Sequence, residues 1–358
     1  MAKPPKLTPM LQQYMEIKNQ HQDAILFYRL GDFYEMFFDD AVTASRVLGI
    51  TLTSRNSKDT ENRVPLCGVP HHAASSYLAK LVKSGFRVAI CEQVEDPKEA
   101  KGIVKREVVR IISPGLTTEE ELLDDKSNRY IAAVAKKKNW GLSLLDLTTG
   151  EFLVTEHESA GALVDELTRM APSELLLDET LNPEDDKDLQ EGLGPALSSL
   201  CLTKKPASLF HIENARETLL DHFKTTSLAG FGCEHMKSGT SAAGALLSYI
   251  QETQKTDLTH IEKVSPIDLS DVLLLDDSSR RNLELTETII GAGREGSLLA
   301  TLDHTCTPMG ARFLKKSILF PLMNVEVINR RLETVEQLYT QASLREKLRE
   351  LLTRVYDL

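Results

Sequence analysis

Residues Gly31 to Asp40 read GDFYEMFFDD, and four of these ten are aromatic in a chain that is only 6% aromatic. If the segment is extended, Phe33 and Glu35 share one face while Tyr34 and Met36 share the other, because side chains alternate along a strand. Two readings fit. In the plainer one this is an ordinary strand, with Phe33 in the core and Glu35 on its rim. In the other, the phenyl ring is a wedge that enters between base steps and kinks a duplex through its minor groove. Unstacking costs a few kcal/mol, and least where a base is mismatched, so a wedge senses weak pairing without reading sequence. A carboxylate beside phosphates is repelled. It fits there if it hydrogen-bonds an exposed base edge, and both nearby negative charge and desolvation favour its protonated form. On pattern alone the ordinary strand prevails.

Cations are scattered around this window: Arg29, Arg55, Lys58, Arg63, Lys80, Lys83, Arg87, Lys101, Lys105, Arg106 and Arg110. Phosphate neutralisation would give them sequence-independent affinity, and the Ser54–Lys58 loop offers donors of several lengths. Other chemistries fare worse. Cys67 with His71 and His72, and Cys233 with His235, lack a second half for a metal site. Asp146, in LLDLTTG, could hold Mg²⁺ in a nuclease, but that chemistry needs several convergent acids. Gly291, Gly293 and Gly296 match GxGxxG by letter. A dinucleotide site also needs an acid about 20 residues on, and no acid occurs between Asp303 and Glu326. This stretch reads as a loop before a helix starting at Ser297. The chain contains no Gly-Lys dipeptide, so a phosphate-binding loop is absent and nucleotide hydrolysis is not expected of it. No GxSxG nucleophile elbow occurs either.

The elements that must position the Phe33–Glu35 pair follow from the pattern. Residues 9–22 read as a helix, 24–30 as a strand, and Asp40 to Gly49 as a helix with Ala41, Ala44, Val47 and Leu48 on one face. Residues 50–55 read as a strand, 56–63 as a polar loop, 75–85 as an amphipathic helix, and 86–94 and 105–113 as strands. The Pro114-Gly115 pair ends this mixed α/β unit. An acidic stretch over 116–126 is a linker. From 127 to 265, strands at RYIAAVA and NWGLSLLDLTTGEFLVTE, a helix-strand pair over ALVDELTRMAPSELLL and a helix over 241–254 predict a second α/β domain. Beyond 266, strand-like pieces give way to helices. The pattern from Val335 to Leu358 is still helical where the sequence stops, so a third domain is expected to be cut short.

Length and composition agree. At roughly 150 residues per domain, 358 residues suggest two or three domains. With 41% hydrophobic and 27% charged residues, the chain is an ordinary globular protein. No apolar run reaches the ~18 residues a membrane span needs, and MAKPPKLTPM is not a secretory leader. Five scattered cysteines without CxxC fit a reducing, cytoplasmic setting. The net charge of −11 hides an asymmetry: residues 1–115 carry 16 Lys+Arg against 13 Asp+Glu, a net of +3, which leaves −14 on the remainder. A mildly basic first unit on an acidic chain suits different partners for the two halves.

From Phe27 to Ala41 (FYRLGDFYEMFFDDA) the chain resembles the start of the bacterial MutS family of mismatch-recognition proteins. The resemblance continues through VPLCGVPHHA (64–73), YLAKLVKSGFRVAICEQVEDP (77–97), VKREVVRIISPGL (104–116), LLDLTTGEF (144–152), RRNLELTET (280–288) and the stretch 296–322. It therefore covers essentially the whole chain, in order. The family's Phe-x-Glu motif maps onto Phe33 and Glu35. There the phenylalanine stacks on the mispaired base and the glutamate hydrogen-bonds it, which displaces the ordinary-strand reading. Arg55 falls where the family has a basic residue near DNA, with Lys58 and Arg63 as further candidates.

The resemblance implies a multidomain α/β protein. Its parts would be a mixed α/β mismatch-binding domain over 1–115, a ribonuclease-H-like connector over 127–265, and the start of a mainly helical lever domain over 266–358. It further implies mismatched or looped duplex DNA as ligand and a MutL-type partner at the connector. The full-length protein would be a homodimeric, DNA-dependent ATPase using ATP and Mg²⁺, while the clamp and ATPase domains lie outside this sequence. No cofactor is expected on the present residues. The rival readings are a structure-specific nuclease built on Asp146 and a paralogous scaffold for junctions or protein partners.

Overall fold

The structure, a computed structural model, describes residues 8–55, 63–95, 102–116, 126–182, 187, 189–190, 200–255, 258–291 and 293–357. Helix α1 (Pro9–Gln20) starts where the Thr8 hydroxyl accepts from the Leu11 amide, with Pro9 in the first turn. This is the arrangement that satisfies an orphan donor and uses proline where no N–H is needed. Strands β1 (Ile25–Leu30) and β2 (Phe33–Phe37) form a hairpin, and α2 (Phe38–Leu48) follows directly. Phe38 enters that helix at φ +54°, a left-handed conformation that bulky residues rarely adopt. Its ring lies 6.1 Å from that of Tyr14.

Strands β3 (Thr53–Arg55), β4 (Val64–Pro70), β5 (Val88–Gln93) and β6 (Arg106–Ile112), with α3 (Ala74–Lys83) between β4 and β5, complete a sheet of order β3-β4-β2-β1-β5-β6. Only β1 and β5 run parallel. Helices α2 and α3 cover one face through Ala41, Ala44, Leu78 and Leu81, packed on Phe27, Tyr34 and Met36. Helix α1 covers the other face, with Leu11 and Tyr14 against Leu26, Tyr28 and Phe37.

Two expectations need correction here. Residues 50–52 lie outside β3, which is three residues long. The run VPLCGVP, which carries no strand expectation, is β4 and pairs on both sides. Proline and glycine in one run argue against a central strand. Here Pro65 and Pro70 stand near its two ends, where a missing N–H disturbs the ladder least.

The second sheet begins with a meander of β7 (Tyr130–Lys136), β8 (Trp140–Asp146) and β9 (Glu151–His157). Helix α4 (Ala160–Met170) crosses to β10 (Glu174–Asp178), parallel to β7, and β11 (Cys201–Lys205) adds beyond it. A two-residue strand, β12 (Ser265–Pro266), pairs with β9, giving the order β11-β10-β7-β8-β9-β12. This is a mixed α/β arrangement, as expected of the second unit. Helix α4 covers one face. Helices α5 (Ile212–Phe223) and α6 (Lys237–Gln254) cover the other. Strands β7 and β8 are thus buried on both sides, as their apolar runs require. Strand β11 and helix α5 carry no expectation from the sequence.

The remaining elements are α7 (Asp277–Asn282), α8 (Leu298–Leu302), α9 (Pro308–Leu319), α10 (Val325–Thr340) and α11 (Ala342–Leu352). Ser297 caps α8, as the loop reading of the glycine fingerprint predicts. The final pattern is two helices rather than one, divided at Gln341. Residues 267–276 contain one isolated bridge, Val272 to Leu322, and no longer strand among the described residues.

Candidate nucleic-acid interface

Gly31 and Asp32 form the two-residue loop between β1 and β2. Gly31 sits at φ +62°, the first-position glycine of a hairpin turn whose twist matches that of the strands. Both turn carbonyls are held. Gly31 O accepts from Arg29 Nε at 2.6 Å, and Asp32 O accepts from the His71 amide at 2.8 Å. Phe33 is the next residue and is 47% exposed, whereas Tyr34 and Met36 are buried. The alternation expected of an extended segment is therefore present, but Phe33 stands in solvent rather than in the core.

Beneath the tip, Tyr34 is fixed from several sides. Its hydroxyl donates to the Glu92 carboxylate, and the Arg29 guanidinium lies 5.6 Å from its ring centre. The His71 ring is 5.3 Å away, and His71 Nε2 is 3.9 Å from Glu92 Oε1. Burial, reinforced by the Glu92 contact, pushes the Tyr34 hydroxyl well above the usual phenol range, so it remains a donor. Two residues on from Phe33, half-buried Glu35 lies on the same face, with Tyr28 of β1 and Gly68 of β4 as its cross-strand neighbours.

The strand directions fix which cations share this end. β1 and β5 run toward the tip and β6 runs away from it. Arg29, Lys105 and Arg106 therefore sit at the Phe33 end. Of these, Arg106 is buried and spent on structure, donating to Arg29 O at 2.8 Å and to Val104 O at 2.9 Å. Arg87 is likewise buried, at the opposite end. Neither is available to a phosphate. Arg63 is exposed just before β4, and Arg55 closes β3 opposite Val64; its side chain and Lys58 lie outside the described residues. From Pro70, opposite Phe33, to Val64 is the whole of β4, about 20 Å at 3.4 Å per residue. The structure thus places Arg63 and the backbone of Arg55 at the far end of β4 from Phe33. Gly68 and the exposed Val94 and Ile103 escaped the sequence reading, and His71 entered it only as a rejected metal ligand, because their proximity to Phe33 depends on strand register.

Models of MutS domain I, MutS domain II and MutS domain III match residues 8–121, 129–262 and 278–358, in that order. The DNA mismatch repair protein MutS of Desulfatibacillum aliphaticivorans is 45% identical over 360 residues, which cover 99% of this chain and 40% of that protein. The chain belongs to the MutS family. The protein of the same name from Alkaliphilus oremlandii is 47% identical over 362 residues, again 99% of this chain and 40% of the relative. The chain spans about 40% of the length of the curated MutS relatives it matches.

Within the segment matched by MutS domain II, Asp146 is 1% exposed and fully engaged. It accepts from Asn128 Nδ2 at 2.9 Å, the Thr148 amide at 3.0 Å and the Thr148 hydroxyl at 2.7 Å. It shapes the β8–β9 turn. Among the described residues, no group of three or more His, Cys, Asp or Glu could hold a metal ion, so the clustered acids of a nuclease are not found around it. Among the same residues, no helix is long and apolar enough to cross a membrane.

The segments matched by the first two MutS domains meet through buried polar groups. Arg87, 7% exposed, pairs with Asp23 and donates from Nη2 to the Tyr249 hydroxyl at 3.1 Å. Tyr249 donates to Glu174 Oε1 at 2.7 Å. Glu174 is fully buried and also accepts from Thr203 at 2.7 Å and from Ser113. Burial alone would lower the Arg87 pKa, but Tyr249, Glu174 and Asp23 together hold it above its ordinary value.

Proposed function

We propose that the chain is the duplex-reading part of a DNA mismatch-repair sensor. Phe33 unstacks a mispaired or unpaired base in bent DNA, and Glu35 accepts a hydrogen bond from that base. The observation that carries this reading is a half-exposed phenyl ring at a braced hairpin tip, with a carboxylate two residues along on the same face. Phenylalanine is among the residue types most often fully buried, and here the ring is left open to a ligand at the tip. Arg55 and Arg63 then serve phosphates about six base pairs along the duplex, at 3.4 Å per pair, with Lys58 a further phosphate ligand from the same stretch of sequence, while Arg29 and Lys105 serve those nearest the wedge.

In this reading residues 1–115 are the mismatch-binding domain, 116–126 the linker, 127–265 the connector that takes a MutL-type partner, and 266–358 the start of the lever domain. The complete protein acts in the cytoplasm as a homodimer using ATP and Mg²⁺. Neither ligand fits the present residues, which offer no phosphate-binding loop, so both would be held elsewhere in the complete protein. The test is a fluorescence-anisotropy titration of the protein from its complete reading frame, with G·T-mismatched and fully paired duplexes at fixed salt. A ring–base stack contributes about 1–3 kcal/mol, so Phe33→Ala should lower the ratio of the two affinities by about 5- to 150-fold. It should leave paired-duplex binding nearly intact. A ratio of one in the wild type, or a ratio that survives Phe33→Ala, would overturn the reading.

A further inference from the structure

Gly68 is a glycine that the backbone does not demand. Its φ lies outside the left-handed region. The β2–β4 register runs unbroken past it, from Tyr34 with Val69 through Glu35 with Gly68 to Met36 with Cys67. There is thus neither a turn nor a bulge to explain it. Glycine inside a strand weakens the strand, and the remaining common reason for one is close approach of a ligand or another backbone. Gly68 is exposed, on the face that carries Phe33 and Glu35. A Cβ built there would stand 3.6 Å from Glu35 Cγ and 3.3 Å from the Tyr34 carbonyl oxygen. Alanine therefore fits with a shift of a few tenths of an ångström, while a larger side chain would stand against the stem of Glu35.

Resting on the reading of Phe33 and Glu35 above, we propose that Gly68 is a specificity-determining residue. Its missing side chain leaves the clearance beside Glu35 in which the base held by Phe33 and Glu35 lies. The Gly68 strand is then a bare floor, Phe33 the stacking surface, and Glu35 the acceptor on its edge. Narrowing the clearance should exclude a purine before it excludes a pyrimidine, since a purine is the larger base.

The experiment compares wild type, Gly68→Ala, Gly68→Val and Phe33→Ala in the protein from its complete reading frame. Affinities are measured for a paired duplex and for duplexes with one unpaired adenine or one unpaired thymine. Thermal melts identify variants that fold. Gly68→Ala should lose more of the adenine preference than of the thymine preference. Gly68→Val should lose both, approaching Phe33→Ala, with paired-duplex affinity within about twofold of wild type in each case, because the phosphate contacts are untouched. A Gly68→Val protein that melts like wild type and keeps both preferences would overturn the inference. So would equal losses for the two bases in Gly68→Ala, which mark a general disturbance of the sheet. Should Gly68→Val fail to fold, Gly68→Ala still decides through the adenine–thymine difference. If Phe33→Ala itself keeps the preferences, the functional reading fails. If only the Gly68 variants keep them, the inference alone fails.

Discussion

Removing the single hydroxyl of Tyr249 should destabilise the second sheet measurably. That oxygen bonds a buried guanidinium and a buried carboxylate at once, at 3.1 and 2.7 Å. A hydrogen bond to a charged group contributes about 1.5–3 kcal/mol net. Two are lost in Tyr249→Phe. However, Glu174 keeps Thr203 and Ser113, and Arg87 keeps Asp23. The expected cost is therefore close to one charged bond, about 2–3 kcal/mol. Glu174→Ala is harsher. It strands three donors and leaves buried Arg87 with mostly exposed Asp23 as its acidic partner, so about 3–5 kcal/mol is expected. The chain has one tryptophan, and Trp140 is buried in β8. Urea unfolding followed by its fluorescence reads the second sheet alone. A double-mutant cycle with Arg87→Met should show coupling above about 0.5 kcal/mol, as contacting residues do. A Tyr249→Phe curve that superimposes on wild type would refute the view that this hydroxyl joins the two charges.

Stability should also depend on pH through His157, whose pKa is lowered by burial and then by nearby Arg169. Its folded pKa lies below the unfolded value, so the unfolded chain binds more protons and stability falls as pH drops below about 6.5. His157→Leu should flatten the Trp140-monitored stability between about pH 5 and 7; an unchanged slope would clear His157. Gly244 lies where α6 crosses α5, and an added Cβ would overlap the Ala215 backbone. Gly244→Ala should therefore cost at least the ~1–3 kcal/mol of an overpacked core, and a melting temperature equal to wild type would contradict that packing.

Much of this was legible in the residues themselves. The period-two pattern of Phe33–Met36 put the ring and carboxylate on one face, and Gly31, Gly49 and Gly85 ended elements where left-handed backbone was needed. What pattern could not show was whether Phe33 faces the core or solvent. Alternation is the same in both cases, and exposure depends on what the rest of the chain leaves uncovered. β4 escaped because its prolines and glycine imitate a loop. The separation of Arg55 and Arg63 from Phe33 escaped for a related reason: residues close in sequence can lie at opposite ends of a sheet, and only register tells. Arg87 and Arg106 were grouped with the phosphate-binding cations by charge alone, yet tertiary contacts bury them both.

Helix α6 is fastened at both ends. At its start, the Ser238 and Gly239 amides donate to Glu156 of β9 at 2.6 and 2.9 Å. At its finish, Gln254 and Lys255 donate to the Ile111 and Val108 carbonyls of β6 in the other sheet. Between these anchors run about 27 Å of helix at 1.5 Å per residue, mostly buried and with Gly239 and Gly244 pressed against neighbours instead of acting as hinges. A strut of this kind has little slack. Any displacement of β6 must either break the two carbonyl contacts or carry the helix with it, so the far edge of the second sheet is mechanically in register with the last strand of the first.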